Sequence, residues 1–126
     1  MEVVLTQEEL VELCVEWQER LRLQDWDIEV KLVRQTEIAN PNWQAQCNIN
    51  FSNSDALIKV MDNIDYANIH QVDAQQDMEH SLVHELVHIL FQQADKTAKD
   101  SVEELILEQA INKIAGALLK LKRQTP

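Results

Sequence analysis

The chain has 126 residues, 45% of them apolar and 26% charged, which is typical of one globular domain spanning residues 1–126. Its 22 acidic and 11 basic residues give a net charge of -11. Most of the surface would therefore repel a nucleic-acid backbone, and we expect no nucleic-acid partner. No apolar run approaches the ~20 residues of a membrane-spanning helix.

The N-terminal segment and the cysteines indicate the compartment. Met1–Leu5 is acidic and leads straight into a helical pattern, without the positively charged start of a signal peptide. Cys14 and Cys47 lack the C-x-x-C spacing and are predicted to be buried free thiols. Both features favour a reducing cytoplasm, without membrane association.

The first predicted element is a helix capped by Thr6, because acidic residues follow it and Glu9 stands three positions later. The helix is expected to run to about Leu23. Its apolar stripe recurs at helical spacing: Leu10, Leu13, Cys14, Trp17 and Leu21.

Three strands are predicted next. Trp26–Val33 alternates apolar and polar residues with a period of two, and Trp43–Phe51 does the same. Ser52–Asp55 has the composition of a hairpin turn and leads into a third strand at Ala56–Met61. Together they predict a small three-stranded sheet, antiparallel or mixed. The other segments here are a loop at Thr36–Asn42 and an irregular or briefly helical stretch at Asp62–Gln71.

The run from His84 to His88, with the sequence HELVH, has the pattern H-E-x-x-H and lies in a helix predicted over Asp73–Gln92. Its two histidines are one turn apart, so both imidazoles can bind one zinc ion, and Glu85 can reach a water beside it. At about 100° per residue, one helix face is polar: Asp77, Ser81, His84, Glu85 and His88. The opposite face is apolar: Leu82, Val83, Leu86, Ile89 and Leu90.

The last helix can supply the third protein ligand that an open zinc site needs. It follows a polar linker at Gln93–Asp100, begins at the capping residue Ser101 and is predicted to end near Arg123. Glu108 is the preferred ligand, because an unpaired carboxylate among apolar neighbours would be costly to bury. Glu104, one turn earlier, stays open as the alternative. The apolar neighbours of the preferred glutamate are Leu105, Leu107 and Ile111.

Other candidate ligands rank lower. Glu104 lies nearer the helix start, where an acidic residue is expected for capping reasons alone, and Glu103 ranks behind both Glu108 and Glu104. His80 points partly aside from the two motif histidines, and His70 precedes their helix. Asn112 is instead expected to act behind the ligands, with its amide oxygen accepting the ring N–H of His84 and fixing its tautomer.

These residues resemble the gluzincin class of zincin metallopeptidases, which place a glutamate ligand on a second helix. Here Glu108 follows His88 by 20 positions and Asn112 follows Glu108 by four. The segment EQAINKIA that begins at Glu108 also looks like the E-x-x-A-N-x-[FI]-A segment of ImmA/IrrE-type metallopeptidases, although Ile111 replaces the usual small residue. The order of elements over Trp26–Leu119 is similar to minimal gluzincin domains, including small phage-borne ones.

The resemblance implies an α+β, zincin-like fold and zinc-dependent hydrolysis of peptide bonds. Zinc would be held by His84, His88 and Glu108, and Glu85 would act as the general base on a water. The expected partner is a protein or peptide substrate, such as one dedicated repressor. The alternative is a zinc-binding module of the same fold that regulates or binds a partner without general proteolysis.

The resemblance also implies two elements that contact the substrate. An edge strand beside the cleft would bind the substrate backbone by strand addition, and Ala56–Met61 is expected to serve. A tyrosine or histidine would donate a hydrogen bond to the developing oxyanion. Tyr66 and His70 are the candidates for that donor.

Overall fold

The computed structural model describes residues 2–40, 42–69, 75–91 and 101–124. The elements follow in the order α1 (Gln7–Arg20), β1 (Asp27–Val33), a 3-10 turn (Gln35–Glu37), β2 (Ala45–Asn50), β3 (Asp55–Met61), α2 (Asn63–Ile69), α3 (Met78–Leu90) and α4 (Val102–Gln124). The predicted α+β class is confirmed. Among the described residues, no helix is both long and apolar enough to cross a membrane.

Side-chain caps set several helix boundaries. The hydroxyl of Thr6 accepts a hydrogen bond from the backbone N–H of Glu9 at 3.1 Å, and the carboxylate of Glu9 accepts one from the N–H of Thr6 at 2.9 Å. The predicted end of α1 at Leu23 is wrong, because Arg22 has a φ of 58°, in the left-handed region. Ser101 caps α4 as predicted, since its hydroxyl accepts from the N–H of Glu104 at 3.1 Å.

The motif helix α3 is shorter than predicted. Asp77 caps it by accepting from the backbone N–H of His80 at 3.1 Å, so the helix begins at Met78. The predicted start at Asp73, the predicted end at Gln92 and the linker Gln93–Asp100 lie outside the described residues.

The sheet is mixed, one of the two predicted alternatives. Its strand order is β1-β3-β2, with β3 parallel to β1 and antiparallel to β2. The expectation that Ala56–Met61 forms the edge beside the cleft is therefore wrong, because β3 is the central strand. Because β1 pairs with one side of β3, β2 pairs with the other side and forms an edge strand.

The outer edge of β1 is covered by one side chain from α1. The amide of Gln7 donates to the carbonyl of Val30 at 2.8 Å and accepts from the N–H of Leu32 at 2.8 Å. Gln7 thus satisfies two of the backbone groups that a further strand would otherwise pair with, in the middle of the edge.

The core lies where α3 packs between the sheet, α1 and α4. The buried residues of α3 include Leu82, Val83, Leu86, Val87 and Ile89. Leu90, predicted to share that face, is 49% exposed, so its assignment to the core is wrong. Cys14 is buried and Cys47 partly buried, and both are free thiols, as predicted.

A nearly buried carboxylate joins three helices at the start of α3. The side chain of Glu79 is only 8% exposed and accepts a hydrogen bond from the indole N–H of Trp17 at 2.8 Å. It also pairs with Lys122 and with Arg123, both near the end of α4. Burial opposes the ionisation of Glu79, but the hydrogen bonds from Lys122 and Trp17 outweigh it and leave the pKa of this carboxyl below its usual value.

Replacing Glu79 by Gln is expected to lower the free energy of unfolding by about 2 kcal/mol, because two cations lose a nearly buried partner. The loss is limited because Lys122 also contacts Glu16 at 2.8 Å and Arg123 also contacts Asp77 at 3.1 Å. Urea unfolding followed by circular dichroism measures it.

Glu16→Gln is the matched control, because the Glu16 side chain is 43% exposed and its loss should cost less than about 1 kcal/mol. The lowered pKa of Glu79 means that its stabilisation is present at neutral pH and lost as the pH falls through the folded-state value. The difference between Glu79→Gln and the unmodified chain should therefore shrink in acid. Equal effects of the two variants at neutral pH would contradict the assignment.

Candidate metal centre

Helix α3 brings the two motif histidines together at the surface that faces β2 and α4. The Nε2 atoms of His84 and His88 lie 3.2 Å apart. Nitrogen atoms of these histidines and a carboxylate oxygen of Glu85 all lie within 4.8 Å of one another. This follows from the helical repeat, because positions one turn apart stack on one face.

Helix α4 runs antiparallel to α3 and brings Glu108 to the same point. One carboxylate oxygen of Glu108 lies 2.7 Å from Nε2 of His88, and the other lies 3.1 Å from Nε2 of His84. The expected burial of Glu108 among leucines is wrong, since its side chain is 46% exposed and Leu105 is 58% exposed. Glu108 lies at the edge of the interface between α4 and α3, half exposed, where its carboxylate contacts both histidines.

The electrostatics of the two glutamates differ. Hydrogen bonds from the rings of His84 and His88 hold the pKa of Glu108 well below its usual range. The pKa of Glu85 is raised, first because burial disfavours its charged form and also because Glu108 is nearby, although the two histidines act in the opposite direction. The site therefore combines the carboxylate of Glu108, whose ionised form is favoured, with that of Glu85, which holds a proton more readily than a free glutamate.

These residues line a cavity of about 680 Å³ between β2, α3 and α4. The lining residues from the chain leading into β2 and from β2 itself are Asn42, Trp43, Gln44, Ala45, Gln46, Cys47 and Ile49. The lining residues from the helices are His80, Ser81, His84, Glu85, His88, Glu104, Glu108 and Asn112. Burial raises the pKa of the Cys47 thiol, and the neighbouring Glu85 carboxylate adds to this rise, so Glu85 faces the edge strand.

The backbone of β2 presents an open edge to this cavity. The carbonyl of Gln44 accepts from the N–H of Met61 at 3.0 Å, which fixes the side of β2 that pairs with β3. Because hydrogen-bonding direction alternates along an antiparallel strand, the backbone groups of Ala45, Cys47 and Ile49 point away from β3. In the part of the chain that is described, no backbone hydrogen bond reaches them.

Two reactive side chains that line the cavity, those of His80 and Cys47, were not predicted as part of the site. His80 lies one turn before His84, and the centroids of the two rings are 6.4 Å apart. Burial lowers the pKa of His80, with Asp77 opposing this shift and the His84 and Arg123 charges reinforcing it. Cys47 is the other residue. The i, i+4 spacing of His80 and the alternation along β2 were the signals that could have identified them.

Tyr66, one of the two predicted oxyanion donors, is not among the described residues that line the cavity. Tyr66 packs in a separate small cluster with Val33 and Met61, and its hydroxyl donates to the carbonyl of Gln75 at 3.3 Å. His70 lies outside the described residues. Within the described ranges, the side chains that could donate hydrogen bonds into the cavity belong to other residues, among them His80 and Asn112.

Asn112 and Glu104 both line the cavity from α4. Asn112 is exposed, and among the hydrogen bonds of the described chain none joins it to His84, so its predicted role behind that ligand is not reproduced. Glu104 lies one turn from Glu108, while the contacts at 2.7 and 3.1 Å to the histidines belong to Glu108.

Two imidazole nitrogens and a carboxylate oxygen form a donor set that zinc accepts in sites with an open coordination position. In a tetrahedral site with bonds of about 2.0–2.1 Å, neighbouring ligand atoms are roughly 3.3 Å apart. The separations of 2.7, 3.1 and 3.2 Å among His84, His88 and Glu108 need only a small expansion to match.

No known family model, curated protein or solved structure matches the chain.

Proposed function

We propose that this protein is a zinc-dependent peptidase that holds one zinc ion through His84, His88 and Glu108. The observation that carries the proposal is the meeting of three ligand atoms from two antiparallel helices, with Glu85 beside them. Glu108 is proposed over Glu104 because it contacts both imidazoles directly. The zincin-like character of the fold and the kinship with gluzincins belong to this proposal.

Zinc, when bound, would supply Lewis acidity that polarises a carbonyl oxygen and lowers the pKa of a water. The residues of the chain do the rest. Glu85 would take a proton from the attacking water and return it to the amine that leaves when the C–N bond breaks. The raised pKa of Glu85 suits this exchange, because a base that regains its proton readily can also act as the acid.

The open edge of β2 supports a peptide as the substrate. An extended peptide could pair with the outward backbone groups of Ala45, Cys47 and Ile49, while its side chains occupy the cavity. The free edge lies beside the glutamate that would act as base, since Cys47 and Glu85 line the same cavity. A peptide bound this way would present its backbone to the metal ligands.

The first prediction concerns the ligands. Zinc titration of metal-free protein, monitored by isothermal calorimetry and by metal analysis, is expected to show one ion per chain. Glu108→Ala should weaken binding by about 100-fold or more, because losing a ligand costs more than losing a residue behind one. Glu103→Ala, which removes an exposed acid from the same helix, is the matched control and should change affinity by less than about threefold. Glu104→Ala is measured beside it, because Glu104 lines the same cavity.

Unchanged affinity in Glu108→Ala, together with a large loss in Glu104→Ala, would show that the wrong glutamate is assigned. Asn112→Ala is a further comparison. It should leave affinity within about threefold, because its amide makes no hydrogen bond to His84, whereas an outer-shell partner would cost about 10- to 100-fold.

The second prediction concerns the base. Glu85→Gln is expected to bind zinc with nearly unchanged affinity and to hydrolyse a fluorescently labelled unfolded protein, such as casein, at least about 100-fold more slowly. Cleavage should also stop when a chelator removes the metal. A zinc-loaded chain that cleaves neither casein nor a broad peptide library would instead favour a binding module without turnover.

The third prediction concerns the open edge. Ala45→Pro removes an N–H that points away from β3, so the sheet should tolerate it while strand addition loses a hydrogen bond. We expect KM to rise by about 10-fold with zinc content unchanged. Gln46→Pro is the control, because it removes an N–H that pairs with β3 and should destabilise the fold by about 3 kcal/mol. Equal KM values for Ala45→Pro and the unmodified chain would exclude pairing at this position.

A further inference from the structure

Three imidazoles follow one another along the cleft face of α3. His80, His84 and His88 are spaced one turn apart, and all three line the same cavity. The ring centroids of His84 and His88 are 5.0 Å apart, whereas those of His80 and His84 are 6.4 Å apart. The wider spacing and the tilt of the first ring separate His80 from the ligand group.

His80 differs from the other two histidines in its contacts. Glu108 contacts both His84 and His88 through its carboxylate oxygens. Apart from the backbone hydrogen bonds of the helix itself, the described residues give His80 one hydrogen bond, from its backbone N–H to the Asp77 cap, and none to its ring. The ring nitrogens of His80 are not among the buried unpaired polar atoms of the described residues, so they are accessible to water or to a ligand in the cavity.

The surroundings place this imidazole at one end of the cleft. Because α4 runs antiparallel to α3, Asn112, one turn after Glu108, lies toward the His80 end, while Glu104 lies toward the opposite end. The cavity-lining side chains next to His80, Ser81 and Asn112, are neutral donors and acceptors, while Asp77 nearby is paired with Arg123 at 3.1 Å. Neutral groups of this kind can hydrogen-bond a peptide main chain.

The distance from the ligand group sets what His80 can reach. An extended peptide advances about 3.3 Å per residue. The 6.4 Å between the His80 and His84 rings therefore corresponds to one or two residues along a substrate whose scissile carbonyl lies at the ligands. The Asp77 cap fixes the backbone of His80, so the imidazole has a defined starting position.

We propose that His80 is a substrate-binding residue whose ring N–H donates to a main-chain carbonyl one or two residues from the scissile bond. This inference rests on the proposed peptidase function, and the contact it adds differs from the oxyanion hydrogen bond predicted for Tyr66 or His70. His80 holds the peptide in line with Glu85 and the metal ligands, and it does not itself bind the metal.

The test compares His80→Ala and His80→Gln with the unmodified zinc-loaded chain on a casein-derived peptide. His80→Ala should keep its zinc affinity within about threefold and lose about 10-fold in kcat/KM, the value of one hydrogen bond. His80→Gln should recover much of the loss, because its amide offers an N–H donor. A large loss of zinc in His80→Ala would overturn the inference by making this histidine a ligand.

A thioamide in the peptide locates the contact. Replacing the carbonyl oxygen one or two residues from the scissile bond by sulfur weakens the acceptor, so it should slow the unmodified chain by about 10-fold and leave His80→Ala unaffected. If the thioamide slowed His80→Ala as much as it slows the unmodified chain, at every position tested, the proposed contact would be contradicted. Hydrolysis that is identical in the unmodified chain and in His80→Ala would contradict it as well.

A binding measurement separates this inference from the proposed function. The zinc-loaded Glu85→Gln variant is titrated with the labelled peptide by fluorescence anisotropy, alone and combined with His80→Ala. A Kd about 10-fold weaker in the double variant supports the contact even if the unmodified chain never hydrolyses the peptide. Equal Kd values, or no binding by either variant, would overturn it.

Discussion

The site depends on the antiparallel packing of α4 against α3. Ile111, Ala115 and Leu119 are buried on one face of α4. Just beyond them, Lys122 and Arg123 pair with Glu79 at the start of α3. These contacts fix how α4 is rotated and how far it is shifted along α3. Both determine whether the carboxylate of Glu108, one turn before Ile111, reaches His84 and His88.

The two outer strands of the sheet have different surroundings. Gln7 pairs with two backbone groups at the outer edge of β1, those of Val30 and Leu32, whereas the outward groups of β2 face the cavity. An exposed strand edge normally invites unwanted pairing, so proteins cover it unless it has a use. The difference between the edges agrees with a role for β2 in binding extended chains.

Local patterns predict the parts of this structure that local interactions determine. Thr6 and Ser101 mark helix starts because their hydroxyls cap backbone groups a few residues away, and the spacing within α3 places His84 beside His88. The central position of β3 could not be predicted, because parallel pairing leaves no trace in either strand. The exposure of Glu108 likewise depends on which side of α4 meets α3, and apolar neighbours in sequence do not settle that.

The fully buried residues of α4 follow Glu108 in sequence, whereas Val102, Leu105 and Ile106 before it are exposed and Leu107 is only partly buried. A helix held along one half can fray along the other, because each unanchored turn relies on its own hydrogen bonds. An ion held by Glu108 and the histidines would add an anchor at the boundary between the two halves. The measured affinity for that ion would then include the free energy needed to order the turns of α4 before Glu108. A substitution that stabilises the helix in those turns would therefore strengthen metal binding without changing any ligand.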